Sequence, residues 1–412
     1  MADEQPPAPR RWYQALGPGL ITACVVIGPG SILTSSKVGA ANGYALSWVV
    51  VASVIFMLAF TTMAARLGVM ASESPGNMLT KSVGRWLAIL IGVSIFFIAS
   101  AFQFGNNLGV HTAFNAYVKF EYIVVVFNAA AIVFLFCFKN LYRALEKLMM
   151  GFVGLMLLAF AANLFFAKPK IGEWGKGFVP SGMGDIDITV LGLVGTTFVI
   201  AAAYFQIYLV RQKGVAKEDL PESLVDSRVG AVIMASITLM IMGTAASVLR
   251  GKELSDAGAV AQQLQPLFGD AGKALFCLGL FSAAYSSFLI NSMIGGFVLA
   301  DGLGLGSEPD DPWTRRMTAA VLITGMLVAL YVIRTGVKPV GAIVMAQAVT
   351  VIAAPLMAGV LLWLCNRKEY MGEHRNGPLL NVVGGVGFLI LLAMAWNTAF
   401  NKVWPKVSEW LG

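Results

Sequence analysis

Charge is what this sequence has least of. Only 12% of its 412 residues are Asp, Glu, Lys or Arg, while 58% are hydrophobic. An ordinary soluble domain carries about twice that share of charge, so this composition excludes one. Histidine is nearly missing: the chain has two, His111 and His374. The four cysteines, Cys24, Cys137, Cys277 and Cys365, fall in or at the ends of apolar runs without ligand spacing. They read as packing residues, which excludes a zinc or disulfide framework. There is no nucleophile–base pair and no phosphate loop. The glycines from Gly302 to Gly306 follow an apolar run rather than a strand, so an enzyme reading has little support. The net charge of +7 is no sign of nucleic acid, because its distribution follows the apolar runs. The segment from Met1 to Arg11 is short, polar and Pro-rich, without the parts of a signal peptide, so no processing is expected.

What the chain has instead is long hydrophobic runs. Eleven spans are read, at about 15–44, 45–68, 86–110, 120–140, 144–167, 187–211, 228–250, 272–302, 313–334, 337–365 and 379–400. Each approaches the roughly 20 residues that cross a bilayer, which predicts an all-α, multi-pass protein of the cell (inner) membrane with lipid as its surroundings. If the N-terminal segment, 1–14, is cytoplasmic, the loops on that side hold Arg66, Lys81, Arg85, Lys139, Arg143, Lys147, Arg211, Lys213, Lys217, Arg228, Arg315, Arg316, Arg367, Lys368 and Arg375. This excess of basic residues places the N-terminus inside and the C-terminal tail, 401–412, outside. The segment from Ser255 to Gly269 reads as a short surface helix. A single transmembrane domain covers 15–400, and nothing suggests a second, soluble one.

The first span is interrupted at Gly28-Pro29-Gly30-Ser31. Proline removes a donor and each glycine costs about 1 kcal/mol of helix propensity, so a helix breaks or kinks there. Irregular backbone at mid-membrane depth survives beside a cavity or inside protein, and transporters bind substrate at such breaks. A simple proline kink is the bland alternative. Spans one to five and six to ten can be set side by side. The sixth carries Gly195-Thr196-Thr197 and then Ala201-Ala202-Ala203-Tyr204, a weaker interruption at the matching position. Paired discontinuities point to an inverted-repeat transporter, with repeat one at about 15–167, repeat two at about 187–365 and an extra helix at about 379–400.

In its overall pattern the chain resembles the NRAMP family of ion transporters. The resemblance rests on Leu16-Gly17-Pro18-Gly19 before the break, and on Gly39-Ala40 and Gly43-Tyr44 after it. Further along it rests on Ala64-Ala65-Arg66-Leu67-Gly68-Val69, Tyr142-Arg143-Ala144-Leu145-Glu146 and Gln265-Pro266-Leu267-Phe268-Gly269. Arg315-Arg316, Gln347, Pro355 and Met371-Gly372 with Asn376 complete it. It covers almost the whole chain and implies a LeuT-like fold: two inverted five-helix repeats plus one extra helix, with helices 1 and 6 broken.

The departures from the family's pattern shape the functional expectation. The family's metal-binding break reads Asp-Pro-Gly-Asn, and here it is Gly28-Pro29-Gly30-Ser31. Its helix 6 carries Met-Pro-His, against Ile200-Ala201-Ala202 here, and its acidic third helix matches Ser100-Ala101-Phe102-Gln103-Phe104-Gly105, which has no acid. Transition-metal ligands are therefore absent from the expected site. Intramembrane charge is costly unless paired. Each break also directs the amide end of a half-helix, starting near Ser31 and near Ala203, at the midplane. These points lead to the expectation of a small anion, with bicarbonate as lead candidate. Its expected site is Gly28, Pro29, Gly30, Ser31, Thr34, Thr196, Thr197, Ala201, Ala202, Ala203, Tyr204, Gln206 and Gln347, with Ser35 as a further donor.

Accumulating an anion against an inside-negative potential costs about 2.3 kcal/mol per 100 mV, which calls for a co-ion. Sodium, needing only carbonyls and hydroxyls, is expected, with Asn106, Asn107, Ser286, Ser287 and Asn291 as possible ligands. Lys37 is assigned either to the access path or to a snorkelling, funnel-facing position. No cofactor is expected beyond that ion, and the protein is expected to be a monomer. The alternatives are an NRAMP-like divalent metal cation (Mn, Fe or Mg) transporter with an atypical site, a channel, or a non-transporting sensor on the same fold.

Overall fold

The computed structural model describes residues 17–137, 141–180, 188–254, 257–336 and 339–403, with backbone alone at 141–142, 188, 257–259, 262–268, 339–349 and 402–403. The N-terminal segment, Lys139, Asp187, the side chains of Tyr142, Gln265, Pro266, Leu267, Phe268 and Gln347, and the tail beyond 403 lie outside the described residues. Among the described residues every regular element is helical.

The helices run in the order α1 (Pro18–Val26), α2 (Pro29–Asn42), α3 (Ser47–Met70), α4 (Pro75–Ser82), α5 (Arg85–Asn115), α6 (Ile123–Cys137), α7 (Leu141–Ala167) and α8 (Ile171–Lys176). There follow α9 (Ile188–Thr197), α10 (Ile200–Lys213), α11 (Leu220–Val248), α12 (Ala257–Leu303), α13 (Pro312–Thr335), α14 (Pro339–Asn366), α15 (Lys368–Met371) and α16 (Pro378–Asn397). Proline opens α1, α2, α4, α13 and α16, where its missing N–H is one no helix uses. Gly214 and Gly336 close α10 and α13 in the left-handed region, with φ of 67° each.

Eight helical spans are long and apolar enough to cross a bilayer, and α1 with α2, bent by 58°, forms a broken one. The 15-residue α6 and the long α14 fill the remaining apolar runs, so each expected span contains a helix. The expected surface helix at 255–269 is the first part of α12. Gly269 (φ 68°, ψ −167°) kinks it into the membrane-crossing part. Phe165 and Leu379 are each 78% exposed and Leu158 71%, as expected of side chains that face lipid rather than water.

Two packed groups make the core. In one, α11 packs on α1, α2 and α3, and α10 packs on α3; in the other, α5 packs on α12 and α13. Helix α1 meets both, touching α10, α11 and α12. Its contact with α11 needs two glycines. A Cβ on Gly230 would lie 2.3 Å from the Gly19 carbonyl oxygen, and one on Gly19 would lie 2.5 Å from that of Asp226. The broken first span is thus held at the centre of the molecule, and every residue of α1 is buried.

Candidate functional site

Both breaks are present. The first falls at Ile27 and Gly28, between α1 and α2. The second falls at Phe198 and Val199, between α9 and α10. The sequence reading placed the second half-helix near Ala203, but it begins three residues earlier. Ala201, Ala202 and Ala203 form its first turn, as the high helix propensity of alanine dictates.

At the first break the hydrogen bonds are largely spent. The fourth residue after Val25 is Pro29, which has no N–H, and Ser287 Oγ donates to the Val25 carbonyl instead, at 3.2 Å. Gly28 N–H donates to Ser31 Oγ at 2.9 Å, and Ser31 Oγ in turn reaches the carbonyl of Val26 at 2.8 Å. Ser31 is therefore the cap of α2 rather than a free donor. Thr34 Oγ1 donates to the Gly30 carbonyl at 2.8 Å and lies 3.4 Å from Thr196 Oγ1, the direct link between the two breaks. Nearby, Ser35 Oγ, Thr197 Oγ1, Ser100 Oγ and Gln103 Nε2 are buried without a hydrogen-bond partner. They belong to α2, α9 and α5, helices with α2 packed against both others.

Other expected site residues are employed elsewhere. Gln206 accepts from Thr22 Oγ1 at 2.5 Å and its Nε2 reaches Ser227 Oγ at 3.5 Å, so it ties α1, α10 and α11 together within the bundle. Tyr204 is fully buried with them. Asn107 Oδ1 accepts from Asn128 Nδ2 at 2.6 Å, which joins α5 to α6. Ser286 bonds back to the Ala283 carbonyl of its own helix. Asn291 Nδ2 donates to Ser287 Oγ at 2.7 Å, so this pair does face the first break. Lys37 lines a cavity of about 480 Å³ with Asn42, Thr189, Gly251, Lys252 and Glu253, at the far end of α2 from the break. Cys24, buried in α1, turns its Sγ to the Met149 carbonyl of α7 at 3.9 Å.

Sequence reasoning missed Asp226 and placed Asp301 only near the end of a span; both are buried carboxylates. Asp226 on α11 accepts the Gly17 N–H at 3.0 Å and the Gly19 N–H at 2.7 Å, capping the start of α1, where Gly17 has no side chain to do so. Asp301 on α12 accepts from Ser74 Oγ (2.6 Å), Gly76 N–H (2.7 Å) and Tyr208 OH (2.6 Å). It joins α12, α4 and α10 at one point. Both lie at the basic end of the bundle. There Arg66 donates to the His374 carbonyl, and Arg211 to the carbonyls of Ala71 and Glu73. The only sequence signal for Asp226 was a helix beginning Gly-Pro-Gly with no capping side chain. Among the described residues no group of three His, Cys, Asp or Glu side chains could hold a metal.

Paired broken helices inside an all-helical membrane bundle define a transporter of the LeuT-like class. MhsT bound to L-phenylalanine shares this fold at a TM-score of 0.61, with 14% identity over 92% of this chain and 98% of that one. Within that class, the chain belongs to the natural resistance-associated macrophage protein-like (Nramp) family, whose sequence profile matches residues 19–401. It is 26% identical to the divalent metal cation transporter MntH of Deinococcus radiodurans over 93% of this chain and 89% of that protein. MntH of Bacillus subtilis is also 26% identical, over 92% and 90%. A variant of the Eremococcus coleocola manganese transporter superimposes with a TM-score of 0.81 at 19% identity, covering 97% of this chain and 91% of that one.

These comparisons overturn the expectation of a small anion, bicarbonate included, both as cargo and as partner. The relatives that match nearly end to end are named for divalent metal cations, and the matched structure is a manganese transporter. The physical error was to count one end of each break. A broken helix has an amide end and a carbonyl end, with opposite partial charges. Here the Gly28 amide is already bonded to Ser31, while Val25 has lost its helical donor to Pro29. The breaks do not select for negative charge. Sodium symport falls with the anion, since it was invoked only to work against an inside-negative potential.

Proposed function

We propose that this protein carries a divalent metal cation across the membrane by alternating access, with the cation held at the two breaks by neutral oxygen atoms. Support comes from family membership and the cation named in its relatives. The observation that carries the reading is the meeting of the breaks at Thr34 and Thr196, 3.4 Å apart, in the last turn of α9 where its carbonyl end lies. The half-helix carbonyl ends supply partial negative charge, as at other cation sites in transporters with broken helices.

The donor set narrows the cargo. Hydroxyls, amides and carbonyls are hard ligands, and imidazole, thiolate and carboxylate are missing from the break. Such a set suits Mg²⁺, which dehydrates reluctantly and keeps several waters, better than a soft transition metal. Retained water also lowers the cost of placing a dication where no carboxylate faces it. An inside-negative potential draws a dication inward by about 4.6 kcal/mol per 100 mV, so inward movement needs no co-ion. The excess of basic residues at one end supports a cytoplasmic N-terminus in the cell (inner) membrane. The two repeats complete one core within the chain, which favours a working monomer.

The deciding experiment is uptake into proteoliposomes holding the purified protein, with Mg²⁺, Mn²⁺ and Cd²⁺ offered separately under an inside-negative potential. Saturable Mg²⁺ uptake, with Mn²⁺ weaker and Cd²⁺ weakest, is expected. A folded, correctly inserted protein that moves none of the three overturns the reading.

A further inference from the structure

A side chain at position 28 would meet polar atoms of two other helices at close range. The backbone of Gly28 is extended, with φ −117° and ψ 177°, a conformation open to any residue. A Cβ built there, however, would lie 3.1 Å from Ser287 Oγ and 3.3 Å from Asn106 Oδ1. A side chain at 28 would therefore point between α12 and α5, and polar oxygens from those two helices already face that space.

The two oxygens differ in what they do. Ser287 Oγ accepts from Asn291 Nδ2 and donates to the Val25 carbonyl. Asn106 is only 2% exposed, and its Nδ2 donates to Gln103 Oε1 at 3.3 Å. That bond fixes the amide so that Oδ1 is the atom turned toward Gly28. Among the described residues, Oδ1 accepts no hydrogen bond. An amide oxygen has two lone pairs, and here the described residues use neither of them. Helix α5 holds this oxygen at the mouth of the first break, next to the carbonyl end of α1, where partial negative charge gathers.

We infer that Asn106 is a cation ligand, its Oδ1 supplying from the facing helix the oxygen that residue 28 does not. This rests on the cation reading above and deepens it. The ligand is a hard divalent cation such as Mg²⁺, held by Asn106 Oδ1 and Ser287 Oγ, with water completing the shell. An amide oxygen in place of a carboxylate gives a weaker, harder site, so Asn106 sets the selectivity against transition metals.

The test is uptake of Mg²⁺ and Mn²⁺ by Asn106→Leu and Asn106→Asp in proteoliposomes, with melting temperature and monodispersity measured on the same preparations. Asn106→Leu is expected to raise the Mg²⁺ KM at least tenfold, with a fall in melting temperature no larger than the loss of its one hydrogen bond to Gln103 brings. Asn106→Asp, which keeps size and shape, is expected to lower the Mn²⁺ KM at least tenfold. Wild-type KM values for both metals in both folded variants would overturn the inference while leaving cation transport intact. If the wild-type protein itself carries neither metal, the functional reading fails first. Should Asn106→Leu not fold, the Asn106→Asp arm decides alone.

Discussion

The basic end of the bundle and the membrane midplane solve opposite problems with the same backbone motif. At the basic end, the start of α1 is capped by Asp226 and the start of α4 by Asp301 together with its own Ser74, each carboxylate coming from another helix. At the midplane, the start of α2 is capped by its own Ser31 and the start of α10 has no side-chain cap. A buried charge is tolerable where several donors converge on it, and Asp301 has three. At the first break the Gly28 amide is spent within the helix, so a carboxylate there would need a cation to balance it. The difference teaches that the missing midplane acid is a property of the site and not of the chain, which buries acids readily elsewhere.

The sharpest way to break this comparison is to remove the charged hub. Asp301→Ala strands three buried donors, and at about 1–3 kcal/mol each the expected loss is at least ~3 kcal/mol, read as a large fall in melting temperature in detergent. A variant as stable as the wild type would show that Asp301 is dispensable there. Asp226→Ala strands two amides and is expected to cost about 2–4 kcal/mol on the same assay. Filling the glycine contact comes next. Gly230→Ala drives a methyl into the Gly19 carbonyl and is expected to cost about 1–3 kcal/mol, since backbone on both sides cannot yield easily.

The midplane changes are milder in stability and larger in transport. Ser31→Ala removes a cap, for about 1 kcal/mol, and is expected to leave the order of preference among Mg²⁺, Mn²⁺ and Cd²⁺ unaltered. A changed order would make Ser31 a ligand after all. Thr34→Val loses the bridge between the breaks with a stability cost near 1 kcal/mol or less, yet uptake is expected to fall several-fold. Unchanged uptake would mean that the two breaks act without that contact.

Much of the architecture was legible because membrane insertion leaves few options. A run of apolar residues must be helical in lipid, and Pro29 with its glycine neighbours must interrupt it. Proline at the start and glycine at the end set the boundaries of α2 and α13 closely, and Gly214 sets the end of α10. Gly28-Pro29-Gly30 located the first break, and setting the two repeats side by side pointed to the second. The second was displaced by a few residues because the alanine run that follows it is good helix and not a cause of disorder. The sign of the cargo was not legible. Counting missing acids says what the site lacks, but a half-helix presents amides and carbonyls alike, and which of them remain available depends on partners such as Ser31 and Ser287.

The sequence by itself therefore determined the class of fold, the position of the first break and the absence of soft ligands, since each follows from local chemistry: apolarity, a missing N–H, a residue type. Only the tertiary structure decided that Ser31 is a cap, that Gln206 and Asn107 are helix ties, that Asp226 and Asp301 are buried, and that Asn106 faces Gly28 across the bundle. Those assignments join residues up to 227 positions apart, as Ser74 and Asp301 are. No local pattern encodes such pairs, because they are fixed by how whole helices pack and not by the stretch in which either residue lies.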